Sequence, residues 1–451
     1  MSFSSLTIGA SALYAAQRAV EVASNNVANA NTAGYTRQRV TLTASTPTFG
    51  TAGARGDGDR STGVTIVDVS RLRDRLADVS YRSEAAVSGS ATARSDTLSR
   101  ATAVLGTFAN GAPEALSSFL TAWDQLSTTP DDASARASVL NTGQQLADAL
   151  TGATTKLDDL THEVTLRLGD DTGELNGLLS SVSKLNEQIS RAQLEQRQPN
   201  DLQDQRDTAL DRIAALTGAK IDPQPDGSVT VSLGSTVLVQ GRNAQSVALS
   251  STPPLGLTLT DGTALSVAGE IGGYTSALAV DIPSYRSQLD AIAVALRDTV
   301  NAAHGAGQGT DGSTGIAFFT GTGAADLSVN PAMTLAQVAA SETGATADGN
   351  NAILIARALR TATPLNGQSV SNALSSFGAR VGQAAADATR NASTSAAALT
   401  SAQSARASAD GVSIDEEMVD LVKFQHTYEA AARVISVADG MLDKLINGML
   451  R

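Results

Sequence analysis

Apolar positions at the start of the chain fall on a strict seven-residue spacing, Leu6, Leu13, Val20 and Val27, with Ala16, Ala23 and Ala30 beside them. This predicts a helix with one narrow seam of small and aliphatic side chains, the pattern of a coiled coil. The helix is expected to stop near Asn31 and Gly34, residues that accept positive φ and reverse the chain. The far end mirrors it. Ile414, Met418, Leu421, Gln425, Tyr428, Ala432, Ile435, Asp439, Leu442, Ile446 and Met449 alternate steps of four and three, and nine of these eleven are apolar. Ser413 and Glu416 form a capping box ahead of the run, so a helix is predicted from Ser413 to Asn447. Segments of about two to five heptads with one sticky seam are marginal alone in water. The two are therefore expected to pair with each other, which makes everything between them one long excursion.

Inside that excursion, residues 36–69 are polar and rich in Gly and Arg, with a loop from Gly50 to Gly63 and a short strand from Val64 to Val69. Helical spacing returns from Arg71 to Gly218, clearest at Leu175, Leu178, Val182, Leu185, Ile189 and Ala192, with a break at Pro199 and a further helix from Leu202 to Leu216. Pro113 and Pro130 are read as boundaries. The period then changes to two at Val229, Val231 and Leu233 and again at Leu255, Leu257 and Leu259, with Asp226-Gly227 and Asp261-Gly262 as turns. Tyr285, Leu289, Ile292, Leu296 and Val300 restore helical spacing, and the Ala/Ser/Thr-rich stretch 380–410 reads as a long exposed helix. The fold class is therefore mainly α with an inserted small β domain, the terminal helices paired as a coiled coil and a long-helix bundle in the middle. Its expected domains are 1–35 plus 412–451, 36–218 plus 271–411, and a β domain at 219–270.

Composition adds to this picture. Apolar residues make up 42% of the 451 while aromatics are 3%, so the cores must be built from Ala, Val, Leu and Ile, which suits close helix packing. A net charge of −13 argues against a general nucleic-acid binder. With no cysteine, thiolate nucleophiles and Cys-based zinc sites are excluded. The first residues lack the basic and apolar regions of a general secretory signal, and no run approaches the roughly 20 apolar residues of a membrane span. His162, His304 and His426 stand far apart, each read as solvated or packed against a helix, and His162-Glu163 lacks the second His of a zinc helix because position 166 is Leu. The Gly50 loop has no Gly-Lys-Ser/Thr ending for phosphate, and Asp415, Glu416 and Glu417 are explained by the dipole of a first helical turn. No catalytic, cofactor-binding or metal site is expected.

The exit of the first helix, Ser24-Asn-Asn-Val-Ala-Asn-Ala-Asn-Thr-Ala-Gly-Tyr-Thr-Arg-Gln38, resembles the Asn-rich string of bacterial flagellar rod, hook and hook-associated proteins. The stretches from Ser413 to Met418, Phe424 to Ile435 and Leu442 to Asn447 resemble that family's terminal helix. Within the family, Gly34-Tyr-Thr-Arg-Gln38 is nearer the hook-associated members than rod or hook proteins, and Asn200-Asp-Leu-Gln-Asp-Gln-Arg-Asp207 and Phe318-Phe-Thr-Gly-Thr-Gly323 resemble internal stretches of the same members. The resemblance implies a structural, non-catalytic subunit at the hook–filament junction. It also implies an extracellular protein, exported by the flagellar type III apparatus without a cleaved signal. Implied partners are further copies of itself, hook protein, the next junction protein (hook-associated protein 3) and an export chaperone, with neither nucleic acid nor membrane. The expected assembly interface is Leu6, Leu13, Val20, Val27, Asn25, Asn26, Asn29, Asn31, Gly34, Tyr35, Arg37, Ile414, Met418, Leu421, Tyr428, Ile435, Leu442 and Ile446. A hook or rod subunit remains open as a reading, as does a secreted adhesin using Arg55-Gly56-Asp57 and the β domain.

Overall fold

A computed structural model of the chain describes residues 4–45, 63–250, 252 and 255–449. In chain order the long elements are α1 (Ser4–Asn29), strands β1 (Gln38–Ala44) and β2 (Val64–Arg71), α2 (Arg75–Thr128), α3 (Ala133–Leu194) and α4 (Asn200–Thr217). Strands β3 (Lys220–Pro223), β4 (Val229–Leu233), β5 (Thr236–Gln240), β6 (Asn243–Ala244), β7 (Val247–Leu249) and β8 (Leu257–Leu259) follow. The remainder is α5 (Gly269–Ser276), a π turn (Ala277–Asp281), α6 (Ile282–Ala306), the short strands β9 (Phe319–Thr320) and β10 (Ser328–Val329), then α7 (Asn350–Thr361), α8 (Val370–Asp410) and α9 (Ile414–Met449). Two compact units result. One comprises Met1–Ala85, Asn176–Ser246 and Ala397–Arg451, the other Ala86–Leu175 and Val247–Ala396.

In the first unit α1 packs on α9 and on the hairpin of β1 and β2. The two helices run antiparallel: an added Cβ at Gly9 would meet Ile435 at 2.9 Å, while Asn26 bonds Glu417. The most buried α1 residues are Ala15, Ala16, Ala19, Val22, Ala23 and Asn26, whereas the seam residues Leu6, Leu13, Val20 and Val27 are half-buried. A heptad count assumes one partner. Here helix and hairpin both cover α1, so the deepest positions are the small ones, where two backbones approach.

The hairpin confirms the expected strand at Val64 and extends it to Arg71, and the polar stretch before the loop supplies its partner, β1. The Gly-rich loop with Arg55-Gly56-Asp57 lies outside the described residues, apart from Gly63. Segment 219–270 forms two sheets rather than one: β3-β4-β5-β6 in the first unit and β7-β8 in the second. Alternation of period two shows that one face of a strand is buried, not what buries it. Asn186 of α3 joins the larger sheet to its helix. Its amide donates to Val229 O (2.9 Å) and Gly241 O (3.0 Å), and its Oδ1 accepts Val229 N (3.0 Å).

The second unit holds most of the chain's few aromatics. Trp123, Phe119, Phe318 and Phe319 interlock with ring centroids 4.8–6.0 Å apart. Pro113, read as a boundary, lies inside α2. Leu105, Phe108, Ala112, Leu116 and Phe119 on either side of it are buried on one face, and that packing outweighs the lost backbone hydrogen bond. Pro130 and Pro199 do fall between helices.

His304 is enclosed in this core, with 1% of its surface exposed. Its Nδ1 donates to Ile316 O (2.7 Å) and its Nε2 accepts Ala339 N–H (3.0 Å), an arrangement only the neutral ring can make. Burial accordingly holds its pKa below the usual 6.5. The unfolded chain takes up a proton there first, so stability is fully present above pH 6.5 and is lost as the pH falls below it. Urea midpoints followed by the fluorescence of Trp123, the one tryptophan, should fall between pH 7.5 and about 5, and His304→Gln should flatten that slope.

Candidate functional site

The Asn-rich exit of α1 is tied into a clasp with the start of α9. Asn26, 1% exposed, sits at its centre. Its Nδ2 donates to Gln38 O and to Glu417 Oε2, each at 2.9 Å, and its Oδ1 accepts Gln38 N–H at 3.0 Å. Tyr35 Oη lies 2.8 Å from Asn26 Oδ1 and 3.1 Å from Asn25 Oδ1, so its single proton is shared between them. Burial, reinforced by the Asp204, Asp201 and Glu417 carboxylates, pushes the Tyr35 hydroxyl up to about 12, so it stays a donor. Asn29 donates to Asn25 O and Oδ1, and Thr32 to Asn29, which closes the helix end.

Arg37 completes the clasp. Its Nε donates to Glu417 Oε1 (2.6 Å) and its Nη1 to Glu416 Oε2 (2.7 Å). Burial works against the guanidinium charge, but the hydrogen bonds and charges of the two glutamates outweigh it and raise the Arg37 pKa. The Ser413 hydroxyl takes the Glu416 amide at 3.5 Å, and the Glu416 carboxylate is engaged by Arg37. Glu416 and Glu417 are therefore clasp ligands as well as partners of the helix dipole.

Gly34 provides the turn that aims Tyr35. Its φ is +82°, a left-handed value, and an added Cβ would lie 2.5 Å from Thr208 Oγ1 of α4. From α4, Asp204 Oδ2 accepts Thr36 N–H at 3.3 Å. The same helix carries a layer of buried charge. Arg71 Nη1 reaches both Asp204 and Asp207 at 2.7 Å, Arg73 binds Asp78 and Asp207, and Asp211 pairs with Arg82 and Arg406, each at 2.7 Å. Arg406 also lies over the Tyr81 ring, 4.5 Å from its centre. The Asp74 amide donates to Asp410 Oδ1 at the end of α8. Burial raises the Asp410 pKa, and the Asp78 charge adds to it.

Of the residues expected at an assembly interface, Asn25, Asn26, Asn29, Gly34, Tyr35 and Arg37 belong to this clasp, and Asn31 is exposed beside it. On α9, Leu421, Ile435 and Leu442 are half-buried, while Ile414, Met418 and Tyr428 are 47%, 48% and 40% exposed. Ile446 lies in α9 with its side chain outside the described residues. Glu417, Asp204, Asp207 and the arginines were missed. Asp204, Asp207 and Arg206 had a signal in the Asn200–Asp207 stretch and Glu417 had one only as a first-turn acid, while Arg71, Arg73, Arg82 and Arg406 carry no local pattern.

Three sequence profiles match the chain: flagella basal body rod protein over 6–36, the flagellar hook-associated protein FlgK helical domain over 98–319, and the flagellar basal body rod FlgEFG protein C-terminal over 403–448. The chain is 30% identical to flagellar hook-associated protein 1 of Bacillus subtilis (strain 168), over 99% of this chain and 98% of that one. This chain belongs to the flagellar hook-associated protein 1 family. The rod profiles are confined to its ends, and the central match separates it from rod and hook subunits. The relative in Escherichia coli (strain K12) is 28% identical over 68% of this chain and 58% of its own length. The flagellar hook junction protein FlgK from Burkholderia pseudomallei aligns with a TM-score of 0.49 and 24% identity, over 54% of this chain and 46% of that one. The segments matched by the two rod profiles, 6–36 and 403–448, are those the clasp joins.

Proposed function

We infer that the chain is a structural, non-catalytic subunit of the bacterial flagellum at the junction of hook and filament, and that its paired ends are the assembling part. The observation that carries the reading is an apolar stripe left uncovered on α9. Ile414, Met418 and Val422, at four-residue spacing, are 47–48% exposed, and Val434, Val437 and Met441 are exposed further along. On α1, Ile8 and Tyr14 are 39% and 66% exposed. Monomeric proteins rarely leave such contiguous apolar surface open. The clasp holds α1 and α9 as one coiled-coil pair, and this outer surface packs head-to-tail on neighbouring copies in a heterologous interface that need not close on itself. Hook protein and hook-associated protein 3 occupy the two ends of that layer. An export chaperone covers the stripe before secretion, and the protein acts outside the cell.

The test is Met418→Asp combined with Val422→Asp in a strain lacking the wild-type gene. Both side chains are about half exposed, so the monomer should keep its circular dichroism while filaments fail to grow on completed hooks. Normal filaments and motility in that strain would remove the stripe from the assembly.

A further inference from the structure

In the first unit, the start of α2, α4 and strands β3 and β4 enclose a cavity of about 340 Å³. Its wall carries five arginines, Arg71, Arg73, Arg75, Arg82 and Arg206, against two aspartates, Asp78 and Asp207. Ile221 and Pro223 give the cavity accessible apolar surface over the buried Leu210 and Val229, and Val79, 61% exposed, stands at the rim beside the exposed Arg75.

Asp78 is held by Arg73, and Asp207 by Arg71 and Arg73. Three of the arginines are already paired, Arg71 also with Asp204 and Arg82 with Asp211 from outside the cavity, which leaves Arg206 and the exposed Arg75 as the unpaired guanidinium groups among the described residues. Arg206, only 6% exposed, has no carboxylate within ion-pair distance among the described residues. Its Nη1 donates to two neutral acceptors, Asn186 Oδ1 (3.2 Å) and Gly227 O (2.7 Å), and its Nε has no acceptor. Arg71 Nε and Arg82 Nη2 are likewise buried donors without a hydrogen-bond acceptor, the latter 3.8 Å from Asp207. Burial, and then the neighbouring charges of Arg71, Arg82 and Arg73, bring the Arg206 pKa down to about 10 despite Asp207 nearby. The buried Arg206 charge, met only by neutral acceptors, is destabilising unless an anion reaches it. Planar guanidinium forks are well matched to the oxygens of a carboxylate or phosphate.

We propose that this cavity is a binding site for a small organic anion, with its carboxylate or phosphate head among Arg75, Arg82 and Arg206 and its apolar body against Ile221 and Pro223. The volume is that of a site for a small organic molecule rather than a bare ion. The site is separate from the stripe on α9 and does not depend on it.

Full-length protein is titrated calorimetrically with phenyl phosphate, inorganic phosphate and phenol at matched ionic strength. Phenyl phosphate should bind saturably at one site, inorganic phosphate more weakly, and phenol not at all. Arg206→Met tests the buried donor directly but also strips Asn186 and Gly227 of a partner, so two rim variants accompany it. Arg75→Glu and Val79→Asp should each weaken phenyl phosphate by about tenfold while circular dichroism is unchanged. Absence of saturable binding, or binding that both rim variants leave intact, overturns the site. Inorganic phosphate binding as tightly as phenyl phosphate overturns the apolar subsite.

Discussion

Glu417→Ala is expected to lower the stability of the clasp by about 3 kcal/mol, because it strands a part-buried guanidinium and a buried amide together. The Glu417 side chain is 3% exposed and accepts both Arg37 Nε and Asn26 Nδ2. Arg37 keeps Glu416 as a second partner, which places the loss at the lower end of what breaking a buried pair costs. Glu416→Ala, with a side chain 64% exposed, should cost no more than about 0.5 kcal/mol. Unfolding of a chain with two units need not be a single transition, so amide exchange is the appropriate measurement. Exchange in α1 and in the first turns of α9 should speed up together in Glu417→Ala and hardly change in Glu416→Ala. Equal effects from the two substitutions would show that the clasp is not organised around Asn26. A double-mutant cycle between Arg37 and Glu417 isolates the pair from the contributions of Asn26 and Glu416.

Trp123→Ala should be the most damaging single change in the second unit, at about 4 kcal/mol. The indole is fully buried against Phe119, Phe318 and His304, with ring centres 6.0, 5.6 and 6.2 Å away, so truncation opens a cavity among rigid rings. Trp123→Phe is the informative contrast. The indole Nε1 has no hydrogen-bond acceptor, so replacing it with a phenyl ring gives up volume but no hydrogen bond, and the loss should stay near 1 kcal/mol. Near-UV circular dichroism during urea titration follows both variants. A cost for Trp123→Phe close to that for Trp123→Ala would mean that the N–H finds a partner in solution.

Much of the architecture was readable along the chain. The helix at 414–449 lies within two residues of the expected bounds at each end, because its spacing repeats without a break and Gly411 and Ser413 mark its start. The breaks at Pro130 and Pro199 were readable for the same local reason. Pro113 was misread because a proline shows only what the backbone loses. The packing of Phe108, Ala112 and Leu116 against the rest of the unit does not appear in the local sequence. The strand at Gln38–Ala44 showed in the sequence only as part of a polar stretch, since its partner lies beyond a long glycine-rich segment.

The candidate site divides in the same way. The Asn-rich string and Gly34 stood out because amides and a positive φ are demands of local geometry. The sequence by itself determined that the two ends are amphipathic helices of matching period that need a partner, and the resemblance placed them in a flagellar family. Only the tertiary structure decided which face of α1 is deepest, that Glu417 rather than Glu416 is the buried acid, and that Arg71, Arg73, Asp204 and Asp207 converge from distant segments. Periodicity reports which side of an element avoids water. It carries no information about which distant charge waits on that side, because an ion pair between residues more than a hundred positions apart leaves no local pattern in either segment.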